Sequence, residues 1–420
     1  IFTVELKCNT SGQSYEDAIE QYKQQRDAKT RLFKPRAGVL AAFAMDLNEV
    51  YFTTELKGHS TFFNPFNIGD NYGKGNPHHP DGINVSYMWE DIWTKDTFLL
   101  ERIIYIKTKE SRNPDTKKVK RTKSLIFPRY HQLRAVRRVL ADVKKNGSEN
   151  NYLIEHSAGS GKTETISWLA HTLATDRIVV DRQLQEAIQG IPHKAGQVKV
   201  MDDKSHSADL ASALKGNTKM IVTTIHKFFH ILQQDLLGKI NHKTFAVVID
   251  EAHSSTHGTL MQAMTTVLSQ KDEIREDDNL DVESSIIEEI QKSGKQPNVS
   301  MIAFTATPKP ETIQLFGKLN ADGHKESFDL YSMKQAIEEG YILNVLDNYV
   351  VYKTYFELQK KINDDPEFKS IAAKRKIARF IDLHDTNIAQ KVEIIIEHFK
   401  NNIMHQLDGT AKAMVVTSSR

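Results

Sequence analysis

The sequence predicts an α/β protein, and three observations carry that expectation. From about residue 125 onward, short and fully apolar runs alternate with helical segments, the texture of a parallel sheet covered on both faces. A glycine-rich loop, "HSAGSGKT", sits between one of those runs and a helix. Ahead of them, the first hundred residues alternate strand-like runs with a single helix candidate, which marks a separate domain.

Taken in order, the N-terminal runs are "IFTVEL", "GVLAAFAM" and "EVYFTTEL". The helix follows the first of them: Ser14 and Asp17 have capping-box-like spacing, and Ala18, Ile19 and Tyr22 form an apolar stripe. "NPFNIGDNYGKGNPHHPDG" has glycines and a lysine but no Gly-Lys-Ser/Thr ending and no apolar strand leading in, so it reads as a surface loop. Its adjacent His78 and His79 are poorly spaced for one metal and read as solvated. The basic run "KTKESRNPDTKKVKRTK", residues 107–123, reads as a solvated interdomain linker, with a linker lying along DNA phosphates as the alternative.

The second region supplies strands at 152–155, 177–180, 219–224, 245–250 and 301–307. The acidic stretch 271–290 reads as a loop and a solvated helix, and residues 355–405 as helical, leading to a last strand, "AMVVTS". Around "ATDRIVVDRQLQ" (174–183) helix meets strand with almost no connecting residues, so either the connections are unusually tight or residues are omitted there.

Composition sets the outer bounds. With 420 residues, 39% of them apolar, two or three domains are expected. Lysine and arginine number 56 against 54 acids, a formal charge of +2, so nucleic-acid binding must rest on local patches. The single cysteine, Cys8, excludes an internal disulfide and fits a reducing compartment. "VLAAFAM", the longest apolar run, is far too short to span a bilayer, and nothing at the start resembles a signal peptide. A soluble cytoplasmic protein with no membrane partner is expected. Both ends read as domain interiors, which suggests a fragment.

The loop "HSAGSGKT" can wrap phosphate oxygens with successive backbone N–H groups at the positive end of a helix. Candidate ATP-binding residues are Ala158, Gly159, Ser160, Gly161, Lys162 and Thr163, with Lys162 reaching the β- and γ-phosphates and the Thr163 hydroxyl ligating Mg²⁺. His156 stands where the pattern has its first glycine. "FAVVIDEAH" ends a buried strand in Asp250 and Glu251, the first beside the metal, the second able to polarise an attacking water, with His253 following. Thr305 and Thr307 in "AFTATP" can sense the γ-phosphate and couple its loss to motion, the role also given to His253. Gln132, with Phe127 and Tyr130 as aromatic neighbours, can pair with adenine. Thr223 and Thr224 suit either nucleic-acid phosphates or a plain strand-end cap.

Two Glu-x-Lys tripeptides are present, Glu5-Leu6-Lys7 and Glu55-Leu56-Lys57. On a strand, residues two apart face one side, so either could deliver a metal-binding carboxylate and a charge-stabilising lysine to a nuclease site. Only the first is followed by a helix, which carries Gln21 toward it. Glu5, Lys7 and Gln21 are therefore the candidate nuclease residues, with Glu5 as metal ligand.

Taken together, "VELK", "EDAIEQYKQQRD", "TTELKGHSTFFNPFN", "SYMWEDIW", "IFPRYHQLRAV", "HSAGSGKT", "IVTTIHKF", "DEAH", "AFTATP", "NIAQKVEIIIEHF" and "AKAMVVTSSR" resemble the motor-nuclease (R) subunit of type I restriction endonucleases. That resemblance implies a partial PD-(D/E)xK nuclease domain at 1–110, a basic linker at 111–124 and a RecA-like superfamily-2 motor lobe at 125–335. A linker, helices and the first strand of a second RecA-like lobe follow at 336–420. It further implies ATP and Mg²⁺ as cofactors, double-stranded DNA as substrate, and methyltransferase (M) and specificity (S) subunits as partners. Gln25 stands where the family has a tyrosine four residues after its helix glutamine, with Tyr22 adjacent to Gln21 instead. The family's first nuclease aspartate is expected before residue 1 and its arginine finger beyond Arg420. The family also carries extra residues around 174–183. Competing readings are a motor with an inactive, nuclease-like DNA-binding domain and a nucleotide-gated scaffold.

Overall fold

The computed structural model describes residues 2–34, 38–94, 97, 105–112, 119–148, 150–173, 178–180, 198–201, 205–223, 243–250, 298–344, 385–405 and 409–415. It divides into two compact units, Ile1–Leu343 and Asn344–Arg420.

The first unit begins with β1 (Phe2–Leu6) and α1 (Tyr15–Gln25), followed by β2 (Ala41–Met45), β3 (Val50–Thr53) and β4 (Asn64–Pro65). These strands form one sheet in the order β1-β2-β3-β4, with β1 and β2 parallel and the rest antiparallel. Ser14 caps α1 by accepting from the Glu16 amide, while Asp17 accepts from the Ser14 amide, so the first turn has its orphan donors satisfied.

Period-2 alternation along β2 decides which residues meet α1. Ala42 and Ala44 lie under Ala18 and Tyr22, and their small size lets the helix approach closely. Ala41, Phe43 and Met45 face the other way, into a cluster with Phe52 and Phe66 that also takes in Phe127 and Leu133.

The basic run is not a simple linker. β5 (Tyr105–Arg112) and β6 (Val119–Ile126) pair antiparallel over eight residues each, from Tyr105↔Ile126 to Arg112↔Val119. The pairing needs only backbone groups, so a high density of lysine does not prevent it. Charge hid the strand signal.

Beyond it come α2 (Tyr130–Asn146), β7 (Asn151–His156), α3 (Lys162–Leu173), β8 (Ile178–Val180), β9 (Val198–Val200), α4 (Ser207–Lys215), β10 (Met220–Val222), β11 (Phe245–Ile249) and β12 (Val299–Thr305). Then follow α5 (Pro310–Phe316), the short pair β13 (Lys318–Leu319) and β14 (Lys325–Glu326), β15 (Asp329–Tyr331) and α6 (Met333–Glu338). Seven strands make one parallel sheet in the order β15-β7-β12-β11-β8-β10-β9. Tyr152, Ile154, Ile302 and Phe304 turn to the face covered by α2 and α3, whereas Leu153, Val247, Met301 and Ala303 turn to the face covered by α4 and α5. This is the two-sided burial that continuous apolar strands require. The five strands expected from the sequence are all present; β9 and β15 are additional.

In the second unit, α7 (Asp385–His398) continues into a π-helical turn, Phe399–Ile403. The described part of "AMVVTS", residues 413–415, is irregular and Met414 is exposed, rather than the strand the sequence suggests. A strand needs a neighbour for its backbone groups, and none pairs with it among the described residues. The acidic stretch 271–290 and most of 174–183 lie outside the described residues. No helix among the described residues is long and apolar enough to cross a membrane.

Candidate functional site

Because all seven strands run parallel, the residues that follow them gather at one edge of the sheet, where open α/β sheets bind ligands. Ser157 follows β7, Thr223 follows β10, Asp250 follows β11, and Thr305 ends β12. Register aligns them: Thr305 lies beside Glu155, and Ile249 beside Ala303. Thr305 is fully buried, and the Thr307 amide donates toward its hydroxyl at 3.4 Å. Thr224, Glu251 and His253 lie outside the described residues.

The loop from Ser157 to Gly161 turns into the N-terminus of α3 at Lys162, with Thr163 the next residue. Gly159 and Gly161 have φ of +70° and +76°. At Gly161 a side chain is excluded twice, because a Cβ would also lie 2.7 Å from the Gln132 amide nitrogen. Lys162 reaches back toward the His156 carbonyl at 3.4 Å. The hydroxyls of Ser157 and Ser160 are buried and have no hydrogen-bond partner within the protein. Orphaned buried hydroxyls are costly, and at a helix N-terminus they suit anionic oxygens. The loop therefore fits a nucleotide phosphate chain.

The start of α2 braces this loop through its carbonyls. Arg129 donates to Gly159 O at 2.8 Å, His131 Nε2 to Ser160 O at 2.9 Å, and Gln132 Nε2 to Gly161 O at 2.9 Å. The Gln132 carboxamide oxygen accepts from the Arg129 amide at 2.8 Å. Gln132 is thus a buried loop brace here, not a side chain open to adenine. Phe127 is likewise part of the aromatic core, 5.0 Å from Phe52 between ring centres, and does not face the loop. Tyr130 stacks edge-on with Phe66 and Tyr87.

Behind the loop lies a buried polar cluster. Asp329, 1% exposed, accepts from Arg134 at 2.9 and 3.1 Å, from Arg138 at 3.1 Å and from His156 Nε2 at 3.1 Å. Burial opposes the Asp329 charge, but the His156 hydrogen bond and the Arg134 charge outweigh it and hold its pKa well below the carboxylate range. Burial drives the pKa of His156 down despite Asp329, and that of His131 further down, with the Arg129 charge assisting. Both rings are neutral. His131 also stacks on Tyr331 at 3.8 Å. His156, at the place of the pattern's first glycine, is thereby an anchor tying β7 to β15.

The N-terminal candidates come together as follows. Lys7 donates to the Gln21 carboxamide oxygen at 2.7 Å, across the β1–α1 step. Glu5, on β1 two residues before Lys7, accepts from Arg26 Nε at 2.7 Å and also from Arg26 Nη2. The nearby Asp46 carboxylate is committed elsewhere, accepting from the amides of Tyr15, Asn48 and Glu49 and from the Asn9 side chain. Among the described residues no three acidic, His or Cys side chains are grouped to hold a metal. The second tripeptide differs sharply. Glu55 and Lys57 pair with each other at 3.1 Å on the surface, after β3 and with no helix behind them.

Residues 131–275 match the SWI2/SNF2 ATPase family model. That segment contains Gln132, the glycine-rich loop, Thr223, Asp250 and Glu251; Thr305 and the whole N-terminal sheet lie outside it. Among solved structures, the Hef helicase domain of Pyrococcus furiosus is 17% identical, with a TM-score of 0.33, covering 64% of this chain and 55% of that one. The Sulfolobus solfataricus SWI2/SNF2 ATPase core in complex with dsDNA is 14% identical, with a TM-score of 0.27, covering 44% of this chain and 34% of that one. The UvsW helicase of bacteriophage T4 is 12% identical, with a TM-score of 0.27, covering 46% and 59%. The chain thus spans little more than half, or less, of the length of these structures.

No pattern in the chain marks Asp329, which bonds His156 just ahead of the loop from 173 residues away. Arg129 and His131 stand inside the quoted run "IFPRYHQLRAV", yet spacing did not single them out. Arg26 sits in "QQRD", one residue past the helix, and its carboxylate partner, 21 residues earlier on β1, is invisible to pattern.

Proposed function

We propose that this chain is the motor and nuclease (R) subunit of a type I restriction endonuclease, an ATP-driven translocase on double-stranded DNA that also cuts it. The observation that carries the motor half is the glycine-rich loop, whose buried, partnerless Ser157 and Ser160 hydroxyls lie at the start of α3. The SWI2/SNF2 ATPase match over 131–275 supports the same reading. In this reading the loop amides and Lys162 bind the β- and γ-phosphates, while Ala158, Gly159, Ser160 and Gly161 shape the cradle. Mg²⁺, held by Thr163 and Asp250, supplies charge neutralisation at the phosphate oxygens when bound. Glu251 orients and deprotonates the attacking water, and His253, Thr305 and Thr307 transmit the loss of the γ-phosphate. Thr223 and Thr224 hold DNA phosphates without reading sequence. M and S subunits would supply site recognition.

The nuclease half rests on the β1–α1 step, where Lys7, just past the end of β1, joins Gln21 at 2.7 Å and Glu5 lies on β1. Lys7 would stabilise charge on the cleaved phosphate, and Gln21 hold its ammonium in place. A second reading, an inactive nuclease-like DNA-binding domain, is favoured by the Arg26 guanidinium on Glu5. Two variants of the full-length subunit, assembled with its partners, separate these. Lys162→Ala should abolish both ATP hydrolysis and cutting; normal ATPase activity would refute the nucleotide site. Glu5→Ala should abolish cutting while leaving DNA-stimulated ATP hydrolysis. Continued cutting by that variant would refute the nuclease assignment.

A further inference from the structure

The loop "NPFNIGDNYGKGNPHHPDG", which the sequence reads as free surface, is docked against α6. Its tip is a tight two-residue turn in which Asp70 and Gly73 exchange backbone hydrogen bonds, at 3.1 and 2.7 Å. The two central residues, Asn71 and Tyr72, have φ of +46° and +63°, a conformation that a tyrosine adopts only at a cost. That cost is offset by what the turn reaches. The Tyr72 carbonyl accepts from the Ser332 hydroxyl, which itself caps α6 by accepting from the Gln335 amide. The Lys74 amide donates to Glu338 at 2.8 Å, and the Asn71 carbonyl accepts from Lys334 at 3.4 Å. Gly69 and Gly73 lie so close to Gln335 and Glu338 that a Cβ at either would collide with them.

The segment beyond α6 continues the chain of contacts inward. Tyr341 donates its hydroxyl to Asn64 Oδ1 at 3.0 Å, next to β4 of the N-terminal sheet. Its ring supports the Arg129 guanidinium at 3.9 Å, and Arg129 in turn bonds Gly159 O. Residues 341 and 342 come within contact distance of Gly159 itself. Arg129 Nη1 is buried without a hydrogen-bond partner, so the guanidinium is held by one hydrogen bond and by aromatic rings.

We propose that Tyr341 is a positioning residue for the glycine-rich loop, and that the N-terminal domain, through Asn64 and the 70–74 turn, sets the loop's affinity for nucleotide. This rests on the nucleotide site proposed above. Asn64 and Tyr341 are far from any phosphate-binding backbone group in sequence, yet they fix the guanidinium that fixes Gly159. By linkage, nucleotide binding must then tighten the same docked turn.

The test is calorimetric titration of the full chain with Mg²⁺ and a non-hydrolysable ATP analogue, alongside thermal melts. Tyr341→Ala, which loses both ring and hydroxyl, should weaken binding about tenfold, the scale of a desolvated cation–π contact. Tyr341→Phe keeps the ring, and with Asn64→Ala should weaken it only about threefold each, the scale of one hydrogen bond. The Tyr341→Phe/Asn64→Ala double variant should be no weaker than either single, since the two share that bond. Phe and Asn64 variants that melt normally but bind less tightly support the proposal. If the wild type binds, Lys162→Ala does not, and all Tyr341 and Asn64 variants bind as the wild type does, the proposal is overturned and the nucleotide site stands. A wild type that binds no nucleotide overturns both.

Discussion

Replacing Asp329 with Asn removes the one negative charge at the centre of a buried basic cluster. Arg134 keeps its bonds to the Ile68 and Leu330 carbonyls, at 3.2 and 2.6 Å, but loses a bidentate carboxylate while its side chain is only 22% exposed. Stranding one member of a buried pair costs about 3–5 kcal/mol, and the surviving carbonyl bonds place the expected loss near the lower end, about 3 kcal/mol. Arg138 adds little, because at 49% exposure water screens its share. Urea unfolding followed by tryptophan fluorescence reports this directly, since Trp168 lies buried in α3 beside the loop. Asp329→Leu with Arg134→Met should recover much of the loss, because the buried guanidinium goes with the carboxylate and only the half-exposed Arg138 loses its partner. A single variant within about 1 kcal/mol of wild type, or a double variant no better than the single, would refute the claim that this cluster holds β15 to β7 through charge.

Gly161→Ala should impair nucleotide binding in the same titration more than it lowers the melting point, because it strains the loop and pushes Gln132 away. Phe127→Ala should destabilise by about 3–5 kcal/mol and loosen the N-terminal sheet and α2 together, read by hydrogen exchange in both, since its ring packs among Phe43, Phe52 and Phe66. Stability should fall between pH 7 and 5. His131 and His156 have folded pKa values below the unfolded 6.5, so below that pH the unfolded chain takes up protons the folded chain refuses. The slope is up to about 1.4 kcal/mol per pH unit for each ring, and a His131→Asn/His156→Asn variant should flatten it in denaturant melts. On the proposed function, Glu55→Gln should leave DNA cutting by the assembled complex unchanged, because among the described residues its ion-pair partner is the exposed Lys57.

The apolar strands and the loop between β7 and α3 were legible because both are local signals, a run of residues and a spacing. The meeting of Lys7 with Gln21 was legible for the same reason: the helix that carries Gln21 follows directly in the chain. The bracing of the loop was not, since Asp329 and Tyr341 reach it only through a parallel pairing, Tyr331 beside His156, that no local pattern encodes. Gln132 was picked out for its chemistry, but its partner depends on where the loop carbonyls point. The paired ribbon strands 105–112 and 119–126 were hidden by their lysines, because backbone pairing leaves no apolar pattern in the sequence.

That ribbon has a mechanical consequence. Only three residues, Phe127, Pro128 and Arg129, separate the end of β6 from the start of α2. The first is clamped in the N-terminal aromatic core, the second has a fixed φ, and the third grips the loop at Gly159. Eight residues of antiparallel strand extend about 27 Å, so the ribbon is a lever whose fulcrum is this tripeptide. Whatever moves the ribbon also moves a tripeptide anchored both in the N-terminal aromatic core and, through Arg129, at Gly159 of the loop that leads into Lys162.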